Sequence, residues 1–140
     1  MLDHSIIQKL RSLDLSTNDF AVFGSGPMYA HGLKDLGHDL DIIACREAWE
    51  MAKKLGKIEL TEIGKTPVIT LFGGEIEIFN DWDWCGWTPE ELVDTAEIID
   101  GIKFVSLEKV LQWKKIFGRA KDVEHVKIIE EYLKNKSAKV

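Results

Sequence analysis

The chain has 140 residues, of which 45% are hydrophobic and 30% charged, and its net charge is −6. This length and composition fit a single globular domain over residues 1–140 and exclude a disordered chain. The acidic balance argues against direct binding to nucleic acid through charge, but it allows a small anionic substrate in a local basic pocket.

The first half of the chain alternates predicted helices and strands. Apolar residues at helical spacing predict a helix over residues 4–13. The apolar run 19–24 predicts a short buried strand that ends at a glycine, and Pro27 then favours the start of a short helix. A second strand is predicted over residues 39–44, and the amphipathic stretch after it predicts a helix that ends at Gly56.

Strands dominate the middle of the chain. Residues 57–64, 66–74 and 75–80 form three strand-like runs separated by glycine or proline. Thr88 is the expected N-cap of a short helix, and a strand pair is expected around the turn at Asp100 and Gly101.

The last third of the chain is predicted to be helical. One helix is expected between Ser106, as its N-cap, and Gly118, and a final amphipathic helix over residues 121–136. We expect the final helix to bury four apolar residues, Val123, Val126, Ile129 and Leu133. The order of elements indicates an α+β or α/β domain with a mixed β-sheet and a helical C-terminal part.

Two aspartates interrupt the second predicted strand. Side chains on a strand alternate between faces, so Asp39 and Asp41 share one face while Leu40 and Ile42 point into the core. Two neighbouring carboxylates are unfavourable unless a cation compensates them, and Mg²⁺ is commonly bound by one or two carboxylates together with substrate phosphates. The pair therefore indicates a magnesium site; a solvated face of an edge strand is the alternative.

A glycine turn precedes the acid pair. Gly24, Ser25 and Gly26 join the first strand to the short helix, where glycine lets a phosphate approach the backbone and helix N–H groups face the anion. A Gly-Ser turn alone is common. Followed by a helix and an acid-bearing strand, it is the arrangement used for phosphoryl or nucleotidyl transfer.

A third acid is available on the last of the three middle runs. Glu75 and Glu77 share a face there, and one of them completes a triad if this strand lies beside the strand of Asp39 and Asp41. With three acids, two metal ions become possible. Glu77 is preferred because it is flanked by isoleucines, whereas Glu75 follows two glycines near the strand start; Glu75 remains the alternative.

These residues resemble the signature of the polymerase-β-type nucleotidyltransferase superfamily. That signature is an apolar residue, Gly, then Gly or Ser, a spacer of limited length, and Asp–apolar–Asp/Glu–apolar. The chain has Phe23-Gly24-Ser25, a spacer of thirteen residues from Gly26 to His38, and Asp39-Leu40-Asp41-Ile42. The superfamily's third acid, on a later strand between apolar residues, matches Glu77.

The C-terminal part resembles the Lys-x4-Arg-x-Lys-Asp segment of small single-domain members, including the AbiEii-like group. Here the segment is Lys114, Arg119, Lys121 and Asp122. Arg119 is the best candidate for a phosphate contact because its planar fork can bind phosphate through two hydrogen bonds. A structural explanation is equally available, because cations are favourable near the end of a helix.

The resemblance implies a nucleotidyltransferase-like fold, with a mixed sheet and helices packed on one side, and transfer of a nucleoside monophosphate from an NTP. The basic residue that often precedes the acid pair is absent, and Lys34 is the nearest cation. The implied site residues are Asp39, Asp41 and Glu77 for Mg²⁺ and catalysis, and Gly24, Ser25, Lys34, Arg119 and Lys121 for the nucleotide.

The acceptor is left open by the resemblance. Small members lack the second domain that holds an acceptor, so the acceptor could be a protein, or the chain could need a partner chain. The alternative function is a catalytically weak binding module with this fold, an antitoxin-like or regulatory subunit.

A tryptophan-rich segment follows the predicted third-acid strand. Trp82, Trp84 and Trp87 could cover the edge of the core, form an aromatic wall for a base or acceptor, or form a protein-binding patch. Cys45 and Cys85 lack the spacing of a zinc ribbon or a disulfide framework. We see no signal peptide and no segment long enough to span a bilayer, so we expect a cytoplasmic location and no membrane partner.

Overall fold

The computed structural model describes residues 2–62, 65–82 and 85–138. The strands of the described chain are β1 (Phe20–Phe23), β2 (Leu40–Ala44), β3 (Ile58–Leu60), β4 (Pro67–Leu71), β5 (Ile76–Phe79), β6 (Glu97–Ile99) and β7 (Ile102–Phe104). The helices are α1 (Ser5–Ser12), α2 (Gly26–Ala30), α3 (Arg46–Leu55), α4 (Pro89–Asp94), α5 (Leu107–Phe117) and α6 (Ala120–Ala138).

The strands form one mixed sheet in the order β3-β4-β5-β2-β1-β7-β6. The pairs β2–β5 and β1–β7 are parallel, and the other neighbours are antiparallel. This arrangement confirms the predicted α+β fold with a mixed sheet and a helical C-terminal part. The parallel pair β2–β5 matters most, because it places the aspartate strand beside the glutamate strand.

Local signals in the sequence set the predicted ends of the helices. The Thr88 hydroxyl accepts the Glu91 N–H at 3.0 Å, and the Ser106 hydroxyl accepts the Lys109 N–H at 3.4 Å, so both predicted N-caps are confirmed. Gly118 ends α5 with a left-handed φ of 68°, which glycine adopts without a steric penalty.

The helices cover both faces of the sheet. One apolar cluster joins α1 and α3 to the face that carries Leu40 and Ile42. A second cluster joins α4, α5 and α6 to the opposite face, which carries Phe23 and Ile43. The expectation that helices pack on one side was therefore too narrow. Successive residues of β1, β2 and β5 are apolar on both faces, and each face needs a cover.

The predicted burial of the final helix is partly wrong. Ile129 is fully buried, but Val123 is 53% exposed. Asp122 is buried instead, and the next residue on a helix points about 100° away from it. Asp122 shares the inner side of α6 with Val126, Ile129 and Leu133, and Val123 alone of the four apolar residues is exposed.

No helix in the described ranges is long and apolar enough to cross a membrane. In the tryptophan-rich segment, Trp82 is buried and stacks on Phe23 at 4.6 Å between ring centroids, while Trp87 lies 6.4 Å from the same ring. These two residues confirm that the segment covers the edge of the core. Trp84 lies outside the described residues.

Candidate active site

An open cavity of about 810 Å³ lies where β1, β2 and β5 meet the α5–α6 junction. All eight residues predicted for the site line it: Gly24, Ser25, Lys34, Asp39, Asp41, Glu77, Arg119 and Lys121. The α5–α6 junction and the end of β1 are far apart in sequence, so the fold itself brings the two predicted halves of the site together.

Three carboxylates converge in the cavity. Asp41 is the register partner of Glu77 in the parallel pair β2–β5, and Asp39 directly precedes β2. One oxygen from each acid lies within 4.8 Å of the others. Asp39 is exposed, whereas Asp41 and Glu77 are half-buried. Glu75, the alternative third acid, forms an ion pair with Lys9 instead.

The carboxylates disturb one another's protonation. Burial, together with the charges of Asp39 and Glu77, raises the pKa of Asp41 to about 7, although Lys121 and Arg119 pull it down. Burial, and then the charge of Asp39, raises the pKa of Glu77. The site therefore carries more negative charge than its surroundings compensate, which is the electrostatic condition for binding a cation.

The Gly24 turn lies directly against this acid cluster. Gly24 has a left-handed φ of 63°, and a β-carbon at this position would stand 2.6 Å from Oδ2 of Asp41. Only glycine meets both conditions. Ser25 follows, and its hydroxyl accepts a hydrogen bond from the Lys114 ammonium at 3.1 Å. Helix α2 has only five residues, so the turn itself, rather than a helix dipole, is the feature available to a phosphate.

A buried ion pair ties this turn to the α5–α6 junction. The side chains of Lys114 and Asp122 are both 0% exposed, with Nζ 3.3 Å from Oδ1. Burial lowers the pKa of Lys114 to about 8 although Asp122 opposes the shift. Burial alone would raise the pKa of Asp122, but the hydrogen bond from Arg119 and the charge of Lys114 outweigh it and lower that pKa.

The Arg119 fork is already used within the protein. Its Nε and Nη2 donate to the two oxygens of Asp122 at 2.6 and 3.1 Å, and its guanidinium lies 4.1 Å from the Phe117 ring centroid. Asp122 therefore takes the edge of the guanidinium formed by Nε and Nη2, and the two-fold phosphate contact expected of Arg119 would have to use the other edge, formed by Nη1 and Nη2. Lys121 is exposed and has no ion pair in the described part of the chain. Lys34 donates to the Asp35 carbonyl at 2.6 Å.

Several lining residues were not predicted from the sequence. They are Thr61, Thr66, Phe79, Asp81, Trp113, Phe117 and His125. Trp82, for which an aromatic wall was one of the predicted alternatives, also lines the cavity. Burial, aided by Lys114 and Lys34, lowers the pKa of His125 to about 4, so this imidazole is neutral at pH 7. Phe79 lies in β5, and Trp113 and Phe117 lie in α5, at positions typical of core residues, so the sequence did not distinguish them as lining residues. Of these residues, Asp81 is the one that the sequence could most easily have indicated, because it lies just beyond the strand of Glu77.

We expect metal-free Asp41→Asn to be more stable than the wild type at pH 8 by about 2 kcal/mol. The folded pKa of Asp41 is raised from 3.8 to about 7, so stability is lost as pH rises between these values. The gain should be small near pH 4, where the folded carboxyl is protonated and the unfolded one is only about half ionised. Urea unfolding at pH 4, 6 and 8 measures it. A variant less stable than the wild type at pH 8 would assign Asp41 a structural role.

Two solved structures are similar to the chain, the first of them over nearly its whole length. TM1012 from Thermotoga maritima, a protein with a provisional nucleotidyltransferase assignment, shares 22% identity over 96% of each chain with a TM-score of 0.62. JHP933 from Helicobacter pylori shares 16% identity over 81% of this chain and 57% of its own, with a TM-score of 0.40. No protein-family model and no curated protein matches the chain. The likeness to the Thermotoga protein supports the nucleotidyltransferase-like fold; the AbiEii-like subgroup stays a prediction.

Proposed function

We propose that the chain transfers a nucleoside monophosphate from an NTP to a hydroxyl acceptor in a Mg²⁺-dependent reaction. The observation that carries the proposal is the convergence of Asp39, Asp41 and Glu77 in a cavity whose adjoining wall is the Gly24 turn and a group of cations. Acids alone occur on many surfaces; acids beside a glycine turn and cations fit a metal-bound triphosphate.

The donor set fits Mg²⁺. The clustered ligand atoms are carboxylate oxygens, with no thiolate or imidazole among the described members, and hard cations prefer oxygen. Asp39, Asp41 and Glu77 would hold the ion. When bound, Mg²⁺ supplies neutralisation of the phosphate charge and activation of the phosphoryl group.

The other residues of the site have different roles, which follow from their positions around the acid cluster. The Gly24 turn lets the phosphates approach the backbone beside Asp41, and Ser25 offers a hydroxyl whose oxygen is held by Lys114. Lys121 supplies a charge for the phosphates, since no described acid occupies it. Glu77, which the strand order β5-β2-β1 puts beyond Asp41 from this turn, would accept the proton of the attacking hydroxyl.

Replacing both aspartates tests this assignment. Mg²⁺ with an NTP at ten times its Kd should stabilise the wild type by about 1.4 kcal/mol, because it binds only the folded state. Asp39→Asn with Asp41→Asn should abolish the shift while the protein stays folded, as measured by thermal unfolding and circular dichroism.

The matched control removes the same charge elsewhere. Asp3 and Asp14 are exposed and do not line the cavity, so Asp3→Asn with Asp14→Asn should keep the full shift. A full Mg²⁺–NTP shift in the Asp39/Asp41 variant would mean that the metal assignment is wrong.

The second candidate is a catalytically weak binding module of the same fold. It is favoured by the Arg119–Asp122 ion pair, because Asp122 neutralises one of the cations that the sequence motif supplies for the phosphates. In this case Mg²⁺–NTP would bind but no acceptor would be labelled, and a protein partner would co-purify in stoichiometric amounts.

A further inference from the structure

The outer edge of β3 has no cover in the described part of the chain. β3 ends the strand order, with β4 on its inner side. Ile58 and Leu60 are 49% and 62% exposed, and Leu55, which precedes the strand at the end of α3, is also exposed. An exposed strand edge with apolar side chains is a ready template for pairing with another strand.

The outward hydrogen-bonding groups of this edge belong to Ile58 and Leu60. Where β3 turns into β4, the Thr61 N–H donates to the Thr66 carbonyl at 2.9 Å. Hydrogen-bonded and non-hydrogen-bonded pairs alternate along an antiparallel ladder, so Glu59 is the next residue of β3 that bonds to β4. The backbone N–H and C=O groups of Ile58 and Leu60 therefore point away from β4, into the open edge.

A second copy of β3 fits this edge in antiparallel order, with Ile58 opposite Ile58 of the second copy. In this register, outward-pointing groups meet outward-pointing groups, because Leu60 then lies opposite Gly56 of the second copy. Gly56 has an extended backbone and no side chain, so it leaves room for the Leu60 side chain. The shape of the edge is thus complementary to itself.

The charges of β3 favour the same register. Lys57 and Glu59 are exposed on the opposite face of the strand from Ile58 and Leu60, and neither forms an ion pair with a described residue. Centred on Ile58, the pairing puts Lys57 of each copy opposite Glu59 of the other copy, which is favourable twice. A register centred on Glu59 would put two glutamates opposite each other, and one centred on Leu60 would put Glu59 opposite the uncharged Thr61.

We propose that the chain forms a two-fold symmetric dimer in which β3 pairs antiparallel with β3 of a second copy, centred on Ile58. The sheets of the two copies then join into one. Ile58 and Leu60 pack on the face covered by α1 and α3, because Ile58 is the register partner of Ile69 in that cluster. The Lys57–Glu59 pairs lie on the opposite face. This dimer needs neither metal nor nucleotide, so its test is separate from that of the proposed function.

Sedimentation velocity over a range of protein concentrations measures this assembly. We expect the wild type to show a monomer–dimer equilibrium with a Kd on the order of 10 µM, because the paired segment is short. Ile58→Lys places two ammonium groups opposite each other at the two-fold axis and should raise the Kd at least about tenfold. Ile98→Lys is the matched control, because Ile98 is 68% exposed on β6, at the other end of the sheet, and should leave the Kd unchanged.

Charge exchange tests the register. Lys57→Glu puts like negative charges opposite each other twice, and Glu59→Lys does the same with positive charges, so each variant alone should dimerise at least about fivefold more weakly than the wild type. Mixed in equal amounts, the two variants should form a mixed dimer with a Kd within about threefold of the wild type, because every charge then meets its opposite. A merely structural effect of either substitution would not be repaired by mixing.

Circular dichroism verifies that each variant is folded, as expected for substitutions at exposed positions. The proposed dimer is overturned if the wild type stays monomeric at concentrations about tenfold above the expected Kd, or if Ile58→Lys dimerises like the wild type. It is also overturned if the mixture of Lys57→Glu and Glu59→Lys dimerises no better than either variant alone. Loss of the dimer in Ile98→Lys would place the interface at β6 instead, and would overturn the assignment to β3.

Discussion

Glu77→Gln should lower the transfer of labelled nucleotide by about two orders of magnitude and leave nucleotide affinity within a few-fold of the wild type. The amide cannot accept the hydroxyl proton, so the transition state loses more than the ground state. Asp39 and Asp41 are unchanged in this variant, with Asp41 against the Gly24 turn, and they should continue to hold the metal-bound nucleotide. Incubation with labelled NTP, Mg²⁺ and cell extract measures transfer, and thermal unfolding measures affinity.

Glu75→Gln is the matched control for this result. It makes the same chemical change two residues earlier, where the carboxylate pairs with Lys9 and is not part of the acid cluster. Transfer should therefore stay close to the wild-type level. Equal losses in both variants would indicate a general disturbance of β5, and loss of nucleotide binding in Glu77→Gln would place Glu77 in the nucleotide site.

The sequence was sufficient to predict the acid cluster because its determinants are local. Alternation along a strand puts Asp39 and Asp41 on one side, and the apolar neighbours of Glu77 mark the same alternation in β5. One long-range condition had to hold, the pairing of β2 with β5, and the structure meets it. Glycine at position 24 is likewise a local requirement, set by its φ and by the proximity of Asp41.

Which of the cationic side chains are paired or buried could not be predicted from the sequence, because tertiary packing decides it. The sequence favours Arg119 over Lys121 as the phosphate contact, yet Arg119 is paired with Asp122 and Lys121 is exposed. Lys114 lies in an amphipathic helix, and nothing local shows that its ammonium is buried against Ser25. Asp122 is likewise buried beside Lys114, whereas Val123, the next residue of α6, is exposed.

The part of the cavity lining formed by Thr61, Thr66 and Asp81 was missed for a related reason. Its residues come from the β3–β4 connection and from the segment after β5, which approach each other only through the sheet order. Thr66 and Asp81 carry no motif that would single them out. A cavity wall of this kind becomes visible only when the strands are assembled, although the position of Asp81 just after an acid-bearing strand was a usable hint.

Asp122→Ala should lower the free energy of unfolding by about 3–5 kcal/mol. The Asp122 carboxylate accepts hydrogen bonds from the Lys114 ammonium and from the backbone N–H and guanidinium of Arg119. Its removal leaves the buried Lys114 ammonium without a counter-charge, which is costly in a site closed to water. Urea unfolding at pH 7 measures the loss.

A second substitution separates the buried charge from the lost contacts. Lys114→Met keeps the length of the side chain and leaves Asp122 paired with Arg119, so by itself it should cost less than half as much as Asp122→Ala. Combined with Asp122→Ala it removes the unpaired ammonium, and the double variant should be more stable than Asp122→Ala alone. If the stability losses of the two single variants simply add in the double variant, the Lys114 ammonium is not stabilised by Asp122. Because Lys114→Met also frees the Ser25 hydroxyl from its donor, it should weaken Mg²⁺–NTP binding by more than its effect on stability explains.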